Sequence, residues 1–229
     1  MLDRLNSFSS ALEIRDFAKN NRTSKSQIEI RKSVNIAIID DEKFQAFNNL
    51  TSYGYKITEL SDITSVLDIA DYDIILCDLM GIGHNFDRTI GGASIIKEIK
   101  ANYPTKFVIA YTGARQNSIE SSSAKKYADG FLKKDADLTR WSEELDKFIE
   151  ISIDPYKMWL IARRGLLDCE IDLRDIVRIE SAYVISVLKK DDDFTTVKKT
   201  LGKIDISGNA KGVIQSLVAS KIFELAFAS

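Results

Sequence analysis

The sequence predicts an α/β protein: a doubly wound, five-stranded parallel sheet followed by an all-α C-terminal domain. Three observations predict it. Short apolar runs rich in β-branched residues alternate with helix-length segments between residues 34 and 153. Those runs lack the polar alternation of a strand with one wet face, as expected when helices cover both faces of a sheet. Beyond about residue 154 only helical periodicity remains.

Taken in order, residues 34–39 (VNIAII) form the first expected strand, which ends abruptly in Asp40-Asp41-Glu42. Residues 55–60 (YKITEL) read as the second strand, and 61–71 as a helix with Ser61 as its cap. The third strand, 73–78, closes on Asp78 and leads into the glycine-rich loop MGIGHNFDRTIGG. A helix over 93–101 precedes the fourth strand, 107–111, which runs into Thr112-Gly113. A helix over 119–128, a fifth strand over 130–133 and a closing helix over 138–153 complete the pattern. The remaining helices fall at 156–168, 173–190, 194–201 and 210–228, the last introduced by Ser207-Gly208-Asn209. At the other end, Leu2, Leu5, Phe8, Leu12 and Phe17 mark a short amphipathic helix, followed by the polar linker NNRTSKSQ. The division is therefore 1–33, an N-terminal helix and linker; 34–153, the sheet domain; and 154–229, a helical output or docking domain.

With 229 residues, 45% hydrophobic and 29% charged, the chain can bury an ample core. Its net charge of −2 argues against a polyanion-binding surface spread over the whole molecule. Cys77 and Cys169 stand far apart, which suggests neither a disulfide framework nor a zinc site. Neither a signal peptide nor a stretch of the ~20 apolar residues that a membrane helix needs is evident, so a cytoplasmic protein without membrane contact is expected.

In a doubly wound sheet, functional groups gather at the carboxyl ends of the strands. Four of the five expected strands end in a group that can do chemistry: Asp40 and Asp41, Asp78, Thr112, and Lys134. Three carboxylates packed together repel one another unless a cation compensates them. Their hard oxygens suit Mg²⁺, which takes one or two carboxylates together with phosphate oxygens. A lysine and a hydroxyl beside that ion would suit a phosphoryl group, and a carboxylate can itself become an aspartyl phosphate.

These segments resemble the receiver domains of two-component response regulators, a flavodoxin-like fold. VNIAIIDDE is similar to their first strand and acidic pair, and YDIILCDLM to the third strand with its phosphorylated Asp. IAYTG is similar to the fourth strand with its Thr or Ser, and ADGFLKKDAD to the fifth with its Lys. The resemblance covers roughly residues 34–152. It implies that Asp78 is the phosphoacceptor, and that Mg²⁺ is held by Asp40, Asp41, Asp78 and the backbone carbonyl of Met80. It also implies that Thr112 and Lys134 contact the phosphoryl oxygens and that Phe131 is the aromatic switch. Lys134, rather than Lys133, aligns with the family's lysine. The implied activities are self-catalysed phosphotransfer and slow aspartyl-phosphate hydrolysis, and the implied partner is a sensor histidine kinase or phosphotransfer protein. Two features depart from the family. Asp135 stands in place of its proline, and the loop after Asp78 is longer, so that it would shield the pocket, alter partner choice or slow dephosphorylation.

Other readings compete. A degenerate receiver would keep the fold as a phosphorylation-independent interaction module. A DNA-binding regulator would use the helical region, but charges there nearly balance and the basic pairs are scattered, so a protein partner is favoured. A homodimer is compatible with either. A haloacid-dehalogenase-like phosphatase needs a second Asp where Met80 stands. The glycines at 81, 83, 91 and 92 lack the GKS or GKT of a phosphate loop. His84, the sole histidine, reads as solvent-facing, Cys77 as core, and Asp191-Asp192-Asp193 as a solvated turn.

Overall fold

The computed structural model describes residues 26–113, 118–191, 193–206 and 208–219. They divide into two compact units, one from Gln27 to Glu150 and one from Ile151 onward. The helix expected over residues 2–19 lies outside the described residues.

The first unit contains the five-stranded parallel sheet expected from the sequence: β1 (Asn35–Ile39), β2 (Lys56–Leu60), β3 (Ile74–Asp78), β4 (Phe107–Thr112) and β5 (Gly130–Lys133). Its order is β2-β1-β3-β4-β5, with every pair parallel, which is the flavodoxin-like arrangement. The order reverses direction beside β1 and β3, the strands that end at Asp40 and Asp78. Strands β1, β3 and β4 are almost wholly buried because helices cover both faces. Alternation along the strands sends Ala37, Ile39, Ile75, Cys77, Val108 and Ala110 into one cluster, closed by Ile95, Ile96 and Ile99 of helix Gly92–Asn102. The opposite face is aromatic. Phe107 meets Phe148 at 5.0 Å, and Tyr111 meets Trp141 at 5.5 Å, both partners lying on helix Leu138–Ser152.

In chain order the helices of this unit are α1 (Gln27–Ser33), α2 (Phe47–Ser52), α3 (Gly92–Asn102), α4 (Ile119–Ala124) and α5 (Leu138–Ser152). Neither α1 nor α2 is expected from the sequence. α1 forms because Asp146 of α5 draws it in: the Arg31 guanidinium donates to both carboxylate oxygens at 2.8 and 2.6 Å, and Gln27 adds a bond at 2.8 Å. The helix expected over 61–71 is replaced by a single 3₁₀ turn, Val66–Ile69. Ser65, not Ser61, caps it: the Ser65 hydroxyl accepts from Leu67 N–H, and Asp68 accepts from Ser65 N–H. Such short side chains bond the nearby backbone and compete with a longer helix.

The second unit is helical throughout its described residues: α6 (Pro155–Asp168), α7 (Leu173–Lys189), α8 (Thr195–Leu201) and α9 (Gly208–Ala219). Asp154 caps α6, and Pro155 occupies its first turn, where no amide donor is required. A buried column organises the core: Trp159 stacks on Tyr183 at 5.4 Å, and Tyr183 on Phe194 at 5.7 Å. Trp159 donates its indole N–H to Glu180 at 2.7 Å. In the acidic run after α7, Asp193 is exposed and Asp192 lies outside the described residues. Asp191 accepts from Ser186 and Thr195, each at 3.3 Å, and so ties the turn between two helices.

Asp146 joins α1, α5 and β2, because Tyr55 beside β2 also donates to it at 2.8 Å. Arg31 and Asp146 have side chains only 12% and 21% exposed, so removing the carboxylate strands a largely desolvated guanidinium. Asp146→Ala is expected to lower unfolding free energy by about 2 kcal/mol, read as a lower urea midpoint at unchanged slope.

Candidate functional site

Because the sheet is parallel and its switch point lies between β1 and β3, the chain leaving β1 and the end of β3 face one another. Asp40, Asp41 and Asp78 each present a carboxylate oxygen, and the three oxygens lie within 4.8 Å of one another. Asp40 and Asp78 are buried, whereas Asp41 is exposed. Lys134, just past β5, reaches across the sheet edge to them. Its ammonium lies 2.9 Å from Asp78 Oδ2, 3.2 Å from Asp40 Oδ2 and 3.2 Å from Glu42 Oε2.

Backbone amides complete the cage. Asp78 Oδ1 accepts from Leu79 N–H at 2.7 Å, and Asp40 Oδ1 accepts from Glu42 N–H at 2.9 Å. Glycine shapes the floor. Gly81 adopts φ +72°, and a Cβ there would collide with the Asp41 carboxylate. At Gly92, where α3 begins, a Cβ would collide with the carbonyl oxygen of Asp78. The chain can therefore pass close to the Asp41 carboxylate and to the Asp78 backbone only where side chains are missing.

The electrostatics are unbalanced. Four carboxylates, those of Asp40, Asp41, Glu42 and Asp78, face one ammonium. Burial pushes the Asp78 carboxyl above the usual carboxylate range. The neighbouring Asp40 adds to that push, while Lys134 and the Leu79 amide oppose it. Burial also works against the charge on Lys134, but Asp78, Glu42 and Asp40 outweigh it and hold the ammonium above the ordinary lysine range. A divalent cation fits this donor set. The oxygens are hard and converge at one point, and the site carries an excess of negative charge. Asp41, Asp78 and Lys134 line one cavity, and of the two carboxylates Asp41 is the exposed one.

The remaining expected residues are placed as follows. Met80 lines the cavity of Asp78 together with Asp41, Glu42, Gly81, Gly113 and Lys134. Thr112 is buried and lines the adjoining cavity, which shares Gly113 and Lys134 with the first. Phe131 lies on β5, partly buried against the α3-side cluster, with the Lys125 ammonium 5.5 Å from its ring centre. Lys133, which pairs with Thr112 across the ladder, is exposed. His84 is exposed as well.

Three contributors were not identified from the sequence. Glu42 was visible in the acidic run but had been given no role. Tyr111 lay unremarked beside Thr112, yet its hydroxyl donates to Asp40 Oδ2 at 2.7 Å. Asp62, read as part of a helix, instead holds the long loop: its carboxylate accepts from Gly83 N–H at 2.8 Å and His84 N–H at 3.3 Å. The loop is thus tied down beside the pocket, with Leu79 and Ile82 buried beneath it.

No protein-family model matches the chain, and no curated protein matches it. Many of the solved structures similar to it are response-regulator receiver domains that cover about half of the chain. One is the BeF₃-activated N-terminal receiver domain of RstA from Klebsiella pneumoniae, 13% identical over 50% of this chain and 97% of that one, with a TM-score of 0.43. Another is a CheY-like receiver domain protein from Methanospirillum hungatei, 18% identical over 51% and 94%, TM-score 0.40. A third is the receiver domain of a sensor histidine kinase from Pseudomonas aeruginosa, described with a magnesium ion coordinated in its active-site cleft. It is 21% identical over 51% and 98%, with a TM-score of 0.42.

The raised Asp78 pKa has a consequence for stability in metal-free buffer. Below the unfolded carboxyl value of 3.8 the group is protonated in both states and carries no penalty. As pH rises through the higher folded value, the native state is obliged to bury a charge and loses stability relative to the unfolded chain. Asp78→Asn is therefore expected to raise the urea midpoint at neutral pH in the presence of a chelator. That gain should shrink to nothing as the buffer is taken below pH 3.8.

Proposed function

We propose that the chain is a two-component response regulator, with a receiver over residues 34–153 and an output or docking region over 154–229. Asp78 is the phosphoacceptor. The observation that carries this reading is the Lys134 ammonium 2.9 Å from Asp78, within a cluster of carboxylates whose charge it cannot balance alone. A strand-end carboxylate beside a fixed cation and a shared cavity suits in-line attack on a phosphoryl group.

In the transfer, an Asp78 oxygen attacks the phosphorus of a phosphohistidine on a sensor kinase or phosphotransfer protein. An O–P bond forms as the P–N bond breaks, and the imidazole nitrogen leaves with the electron pair and takes up a proton. Lys134 offsets charge on the phosphoryl oxygens, and Thr112 donates a hydrogen bond to one of them from the adjoining cavity. Asp41, Asp78 and the Met80 carbonyl, with Asp40 beside them, would hold Mg²⁺, which would supply further charge neutralisation. Water later cleaves the acyl phosphate, returning the Asp78 carboxylate and inorganic phosphate. Thr112 moves toward the phosphoryl group, Phe131 follows, and the surface formed by α4, α5 and β5 is altered.

For output, a protein partner is favoured over DNA. Leu173, Val177, Ile185 and Leu188 of α7 are exposed apolar residues. Of the basic pair Arg163-Arg164, Arg163 is largely buried beside Glu180, at 4.0 Å, which leaves Arg164 as the exposed member.

Incubation with Mg²⁺ and an acyl-phosphate donor is expected to add one phosphoryl mass, which disappears in Asp78→Asn. No adduct with several donors would sink the proposal. Lys134→Ala is expected to retain Mg²⁺ binding while losing the conformational response to phosphorylation. A large loss of Mg²⁺ affinity would contradict the role given to Lys134.

A further inference from the structure

Asp40 has both of its carboxylate oxygens engaged. Its Oδ1 accepts from Glu42 N–H at 2.9 Å and its Oδ2 from the Tyr111 hydroxyl at 2.7 Å, while the Lys134 ammonium sits 3.4 and 3.2 Å from the two oxygens. Asp41, by contrast, is exposed and lies over Gly81, and Asp78, which lines the cavity, takes its donors from Lys134 and the backbone amides of Leu79 and Met80. Tyr111 is fully buried, with its ring 5.5 Å from both Phe44 and Trp141. The aromatic packing fixes where the hydroxyl points. An aliphatic residue could fill the same core; the one polar atom that Tyr111 brings is spent on Asp40.

We infer that Tyr111 is a positioning residue whose phenol keeps Asp40 out of the inner coordination sphere of the cation, so that a position stays open for a phosphoryl oxygen. Mg²⁺ demands near-octahedral geometry and is usually served by one or two carboxylates together with phosphate oxygens. Three carboxylates converge here, so one must be held back if the incoming group is to reach the ion. The phenol does this as a neutral donor: it occupies the Asp40 oxygen without adding charge. The inference rests on the reading of Asp78 as phosphoacceptor.

The test uses the full chain and Mg²⁺ alone as the probe, followed by calorimetric titration, with adduct formation from a saturating acyl phosphate measured separately. Tyr111→Phe retains the ring and removes only the donor. It is expected to tighten Mg²⁺ binding about tenfold, at the low end for a hydrogen bond to a charged group, and to slow adduct formation by a similar factor. Adding Asp40→Asn to that variant should abolish the gain in affinity. Replacing Tyr111 with 3-fluorotyrosine, a stronger donor of nearly the same size, should shift affinity in the opposite direction and decides the matter if Tyr111→Phe does not fold. A purely structural phenol would lower the melting temperature and leave Mg²⁺ affinity unchanged or weaker, which would overturn the inference. So would absence of Mg²⁺ binding by the unaltered chain. If that chain binds Mg²⁺ but takes up no phosphoryl group, the Asp78 reading fails, while the affinity series still decides the role of Tyr111.

Discussion

One constraint governs the sheet unit: several carboxylates are held at a sheet edge with a single ammonium among them. A buried carboxylate is costly unless donors satisfy it. The protein meets that cost piecemeal, with the Leu79 and Glu42 amides, the Tyr111 phenol and Lys134 each taking part. What remains is an excess of negative charge focused on one point. Such an excess attracts a cation and repels an anion that arrives without one.

The fold makes this arrangement with few local devices. Parallel strands all deliver their carboxyl ends to the same edge, so Asp40, Asp78 and Lys134 meet although long stretches of sequence separate them. The glycines at 81 and 92 then let backbone approach where a side chain would intrude. The aromatic layer of Phe44, Tyr111 and Trp141 fixes one wall from the opposite side of the β4 strand to the aliphatic cluster. That wall is also part of the packing of α5, so the same residues support both the core and the acidic cluster.

Much of this was legible in the sequence, because it depends on signals that are local. Apolar β-branched runs of strand length, each ending in a polar residue, revealed both the sheet and the strand-end constellation. What escaped is what depends on partners remote in sequence. α1 is held by Asp146, 115 residues away from Arg31, and nothing in QIEIRKS announces that contact. The segment 61–71 carries apolar residues at helical spacing, but Ser65 and Asp68 bond its own backbone and Asp62 is committed to a distant loop. Tyr111 looked like another core residue of a buried strand, and only its hydroxyl's direction distinguishes it from one.

The clamp made by Asp62 has a consequence for variation. It grips the long loop through the amides of Gly83 and His84, groups that nearly every amino acid possesses. The exposed side chains of His84, Asn85 and Arg88 therefore bear none of the holding force. Related chains could diversify at these places, redrawing the rim that a visiting protein meets, while the backbone beneath stays anchored and the acid cluster keeps its shape.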